Sequence, residues 1–106
     1  MTKVKVDSGI CGFSALIMAE KDKDNNKKIY IFIDTECEMV KKMLEDISTL
    51  DARAAFTGHL NNQVYRSAAK HIKHVACPVP AGILKAIEVE SGVCLPKNVS
   101  IVFIKE

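Results

Sequence analysis

What the 106 residues lack narrows the field first. No apolar run approaches the ~20 residues that a membrane-spanning helix needs. The opening MTKVKVDSG has no continuous apolar stretch of the kind a secretion signal carries, so a cytoplasmic, unexported chain is expected. Charge of one sign is also scarce: 15 Lys and Arg against 13 Asp and Glu leave a net charge of +2, too little for the basic face that nucleic-acid binding requires. There is no C-x-x-C, no H-E-x-x-H, no glycine-rich phosphate loop and no clear Ser/His/Asp pattern. Enzymatic activity stays open, because no complete catalytic set is visible. DKDNN, at residues 22–26, has a passing likeness to a calcium loop but lacks its glycine and terminal glutamate.

What is present is enough apolar residue, 48%, for one real core in one domain over residues 1–106. Lys3 to Asp7 alternates with Val4 and Val6 on one side, and Ser8-Gly9 is a turn signal. From Phe13 to Glu20, Phe13, Ala15, Ile17 and Ala19 share one face, while Leu16 and Met18 lie on the other. KDKDNNK, residues 21–27, reads as a charged hairpin loop, after which Ile29, Ile31 and Ile33 alternate with Tyr30, Phe32 and Asp34. At Thr35 the period changes. Thr35 and Glu38 match a capping box, and Met39, Val40, Met43, Leu44 and Ile47 follow helical spacing.

Ser48 to His59 has no clear period. Asn61 or Asn62 can cap a further helix with the stripe Val64, Tyr65, Ala68, Ala69 and Ile72. Pro78 and Pro80 fit the first turn of a third helix, with Ile83, Leu84 and Ile87 buried and Gly92 as its left-handed C-terminal cap. Pro96 opens a loop, and Val99 to Ile104 reads as a last strand, dense enough in apolar residues to be central. The expected order is β-β-β-α-α-α-β, an α+β fold with helices on one face of a mostly antiparallel sheet.

The four cysteines all fall at element ends: Cys11 after a turn, Cys37 in the first turn of a helix, Cys77 just before one, and Cys94 in the loop after it. In the cytosol such residues are thiols, metal ligands or redox groups rather than structural disulfides. Cys37 and Cys77 sit at helix N-termini, a placement that can lower a thiol pKa from ~8.5 toward ~4–7. Cys94 reads as packing. His71 and His74 are three apart and precede Cys77. His74 is a candidate fourth ligand or proton partner, whereas His71 and His59 have plainer readings as surface or loop residues. Asp34, Glu36 and Glu38 read as favourable charge near a helix N-terminus.

Cys11-Gly12, Cys37 at a strand-to-helix passage, and the His74/Cys77 region opening a late helix resemble, in order, the U-type iron–sulfur cluster scaffold proteins over residues 4–90. That resemblance implies Cys11, Cys37 and Cys77 as cluster ligands. Phe13 stands where the family has an aspartate, and Ala76 stands where it has its histidine. CPVP at residues 77–80, followed by a helix and an apolar strand, resembles sulfur carriers with a Cys-Pro-x-Pro motif; the likeness spans residues 77–104 and implies a persulfide on Cys77. The whole chain is also similar to small four-cysteine proteins of anaerobic microbes, a likeness that carries no assigned activity.

Together these readings give an expected site of Cys11, Cys37, Cys77 and His74, holding an iron–sulfur cluster or zinc, scaffold-like, with a sulfur-donor or cluster-acceptor protein as partner and a role in sulfur trafficking. The alternative is a structural or interaction domain with inert buried cysteines and no metal.

Overall fold

Apolar residues at every second position make three strands, and a computed structural model describes all 106 residues. Strand β1 (Thr2–Asp7), β2 (Ser14–Lys21) and β3 (Lys28–Thr35) pair antiparallel in chain order, with Val4 opposite Ile17 and Ile17 opposite Ile33. This register puts Ala15, Ile17, Ala19, Ile29 and Ile31 on one face, where all are buried. The other face keeps Lys3, Lys5 and a half-exposed Phe32. The hairpin loop falls at residues 22–27, and the Asp22 carboxylate holds it by accepting from the backbone N–H groups of Asp24 and Asn25.

Three helices cover the apolar face. Helix α1 (Glu38–Ile47) packs on β3 and turns Val40, Met43 and Ile47 inward. Helix α2 (Gln63–His71) packs on α1. Asn62 caps it: Oδ1 accepts from the Val64 N–H at 3.0 Å, and Nδ2 donates to the carbonyls of Ala54 and Thr57. Helix α3 (Val79–Glu90) lies across β1 and β2. It ends in a Schellman motif, with Val93 N–H on the Glu88 carbonyl and Gly92 N–H on that of Val89; Gly92 takes φ 80° as that motif requires. The fold is α+β, with helices on one face of an antiparallel sheet, and no helix is long and apolar enough to cross a membrane.

Two elements differ from the sequence reading. The capping box at Thr35 does not form. Thr35 remains in β3 opposite Ala15, its hydroxyl donates to the Ser14 carbonyl, and Cys37 becomes the N-cap. The fourth strand is also not the C-terminal one. It is β4 (Thr49–Asp51), three residues paired with Lys28–Tyr30 and carrying one buried side chain, Leu50. Val99 to Ile104 is strand-like in composition but unpaired and exposed. Strand propensity records a fitness for pairing and does not say that an edge of the same molecule will supply the partner.

Two attachments fix α3 on the sheet. At its C-terminal end, the Glu90 carboxylate accepts from the Thr2 hydroxyl at 2.8 Å and the Lys21 backbone N–H at 2.9 Å. Burial opposes ionisation of Glu90, but these bonds and the N-terminal amine outweigh it and hold its carboxyl below the usual range. Nearer the N-terminal end, Gly82 meets the sheet directly: a Cβ there would stand 2.5 Å from Val6 Cγ2 and 3.1 Å from Ile17 Cδ1.

Gly82→Ala is expected to destabilise the fold. Overpacking against a β-branched side chain on a strand costs about 1–3 kcal/mol, more than the up to ~1 kcal/mol of helix propensity gained; an unchanged or raised urea midpoint would contradict the close docking. Glu90→Gln is expected to lower stability at neutral pH and to remove an acid-dependent component. In the native chain that component is fully present above the ordinary glutamate pKa and is lost as pH falls through the depressed value, as urea midpoints from pH 7 to pH 3 will show.

Candidate thiol site

The turn between β1 and β2 is closed by the Ser8 N–H on the Phe13 carbonyl and the Gly12 N–H on that of Gly9. Gly9 and Gly12 both take positive φ, 79° and 78°, which lets a single helical turn at Gly9–Cys11 fit between the strands. Cys11 stands exposed on that turn, its thiol 3.9 Å from the Ser8 carbonyl.

Cys37 is set by the end of β3. The Thr35 hydroxyl that donates to Ser14 also accepts from the Cys37 N–H at 3.2 Å, so the chain turns into α1 with the Cys37 side chain directed into the core. Cys77 follows a tight turn in which its own N–H bonds the His74 carbonyl at 3.0 Å, and α3 begins two residues later. Since Gly82 rests on Val6 and Ile17, this end of α3 lies over the end of the sheet where β1 leaves for Ser8 and β3 delivers Cys37.

Three thiols from distant parts of the chain therefore gather at one end of the molecule. Cys77 is half-buried and interacts electrostatically with both Cys37 and Cys11. The Val79 N–H and the Ser8 hydroxyl act the other way and favour its ionised form. Burial pushes the Cys77 thiol above its ordinary pKa, the neighbouring thiols push it the same way, and Val79 and Ser8 only partly offset them. The sequence reading, in which the helix N-terminus lowers this pKa, is thus corrected. As placed, no three His, Cys, Asp or Glu side chains stand close enough together to clasp a metal ion.

His74 is exposed, and its backbone carbonyl takes part in the turn before Cys77. Cys94 lies past the other end of α3, about 18 Å of helix away. His71 reaches across to α1, with Nε2 3.0 Å from Asp46 Oδ2, and the buried Ser67 hydroxyl donates to the same oxygen at 2.9 Å. Those contacts, Ser67 first and His71 second, hold the Asp46 carboxyl below its usual range. This trio is not a nucleophile relay, because the carboxylate and not the imidazole stands between the hydroxyl and its partner; it ties α2 to α1. His59 stacks on Tyr65 at 5.0 Å between ring centroids. Asp34 and Glu36 line an open depression on the helix-free face with Lys5 and Phe13.

Sequence reasoning missed Ser8 as a contact of Cys77. The available signal was its place in the turn that carries Cys11. The Asp46–Ser67–His71 contact was missed as well, although Ser67 and His71 are four apart on one helix face.

No curated protein and no solved structure matches this chain. Residues 2–103 match the profile described as "Family of unknown function (DUF6951)", and the chain belongs to that family.

Proposed function

We propose that the chain binds a soft metal centre, zinc or an iron–sulfur cluster, through Cys11, Cys37 and Cys77. The observation that carries this reading is that three thiols from three separate segments lie at one end of the sheet, with Cys37 and Cys11 near enough to half-buried Cys77 to oppose its ionisation. The donor set fits, because sulfur ligands select zinc and iron–sulfur clusters.

The electrostatics fit as well. Without a cation, each additional thiolate at this end of the sheet raises the cost of the next. A bound cation reverses that sign and takes the ligands in deprotonated form. Cys37 and Cys77 are fixed by the starts of α1 and α3, while exposed Cys11 rides on a turn with two left-handed glycines and is the ligand free to close the site. His74 is a less natural fourth ligand, since its turn would have to rearrange. With exposed Cys11 as one holder, a cluster held by these three thiols would be within reach of another protein, a sulfur donor or a cluster acceptor.

A persulfide carrier centred on Cys77 alone has weaker support. The thiolate is the reactive form, and burial with two neighbouring thiols disfavours it. The inert-thiol reading, an interaction domain with no metal, is separated from the metal reading by thiol accessibility and uptake.

Chain purified without oxygen is expected to carry iron with acid-labile sulfide, or zinc, near one centre per chain. Cys77→Ser is expected to abolish uptake and His74→Ala to retain most of it. A chain that takes up neither metal, with Cys37 and Cys77 reacting with a thiol reagent only after unfolding, would establish the inert-thiol reading instead.

The pH dependence has opposite signs with and without metal. Metal affinity falls as pH drops, because the ligands must lose protons. Stability of the metal-free chain falls as pH rises: Cys77, with its raised folded-state pKa, contributes fully below the ordinary thiol pKa, and that contribution is lost as pH climbs through the raised value. Thermal melts at increasing alkalinity are expected to show this loss in the native chain and not in Cys77→Ser.

A further inference from the structure

The six residues Val99 to Ile104 are an apolar strand without a sheet. Val99, Ile101, Val102, Phe103 and Ile104 are between 67% and 99% exposed, and beyond the Lys97 N–H on the Leu95 carbonyl this segment makes no backbone hydrogen bond. Val99, Ile101 and Phe103 fall at alternate positions, the spacing of one face of a strand. The molecule is drawn out to 50 Å along one axis against 28 and 25 Å on the others, and the eight residues of β2 account for only about 27 Å of that length. The family match runs to Phe103, so the segment belongs to the shared domain and is not an appendage to it.

The same molecule offers an open edge of matching length. Strand β1 is six residues long and pairs only with β2, which leaves the backbone groups of its far side without a strand partner. Lys3 and Lys5 are exposed along it, the charge pattern by which natural sheets limit indiscriminate edge pairing. The other edge, β4, is only three residues long. Glu90 anchors the end of α3 at Thr2, at the start of β1, and residues 91–98 are all that separates this anchor from the segment.

We infer that Val99–Ile104 of one copy adds as a fifth strand to the β1 edge of a second copy, and that the exchange is reciprocal, giving a closed dimer. The occupant is set by three matches: an unpaired strand, an unpaired edge of equal length, and a helix end anchored at the start of that edge, a short connection away from the strand. Such an exchange is isologous and closes on itself. Each segment brings five exposed apolar side chains to that interface.

The test uses the full chain and needs no metal. Light scattering on the eluting protein is expected to give twice the 11.7 kDa of one chain. Hydrogen exchange is expected to show the amides of residues 99–104 slowed by roughly 100-fold or more relative to an unstructured chain. The double variant Ile101→Lys with Phe103→Lys is expected to be monomeric, to lose that protection, and to keep the native circular dichroism, because these side chains support nothing within one copy. A mixture of isotope-labelled and unlabelled native chains should show contacts between residues 99–104 of one copy and residues 3–7 of the other. Three results would overturn the inference: a monomer with unprotected residues 99–104, a monomer in which they are protected by pairing within the same chain, or a dimer that the double variant leaves intact.

Discussion

Helix α3 comes close enough to β1 and β2 to touch their side chains with its backbone only because residue 82 has no side chain of its own. A glycine inside a helix costs up to ~1 kcal/mol relative to alanine. Here that cost is set against direct contact of the helix backbone with Val6 and Ile17, and against the burial of Ile83, Ala86 and Ile87 beside it. Glu90 fixes the far end to Thr2 and Lys21. With both ends defined, the start of α3 can only stand over the end of the sheet where β1 turns and β3 finishes. Cys77 is carried there by this docking, and the gathering of the thiols is a consequence of how one helix seats.

The charge state of Cys77 follows from the same start of the helix. A helix N-terminus normally offers several free N–H groups to an anion. In this one Pro78 and Pro80 have no N–H, which leaves Val79 as the near donor. The prolines that make the start of α3 easy to recognise thus remove half of the means by which it would ionise the adjacent cysteine. Burial and two neighbouring thiols then outweigh a single N–H and the Ser8 hydroxyl. A helix start built this way favours the neutral form of the Cys77 thiol.

The elements whose positions are dictated by their own residues were legible in the sequence: the alternation in β1 to β3, the Asn62 cap, the prolines of α3 and the left-handed Gly92. What was not legible depended on partners. Thr35 could have capped α1, but its backbone stays in β3 opposite Ala15; its hydroxyl donates to the Ser14 carbonyl and accepts from the Cys37 N–H, and Cys37 takes the N-cap position. β4 carries one buried side chain in three residues, too short for any period to register. For Val99 to Ile104 the residue pattern specified a strand correctly in kind and left its partner open. In the site, the order of Cys11, Cys37 and Cys77 along the chain pointed to one end of the sheet, while the direction of the Cys77 shift turned on packing density that spacing does not encode.

The two proposals meet at β1. That strand runs directly into Ser8 and the single helical turn bearing Cys11, the exposed one of the three proposed ligands. A strand added along the outer edge of β1 would have one of its ends beside that turn. Pairing would restrain the backbone of β1 up to Asp7 and so reduce the freedom of the turn that, on the proposed function, closes over a metal. Freedom removed before binding is freedom that binding no longer has to remove, so assembly would raise metal affinity by pre-organisation without contributing a ligand. By reciprocity, metal bound at Cys11 would tighten the dimer by the same factor. The physical link is a short one, from one edge strand through Ser8 to a thiol on an exposed turn.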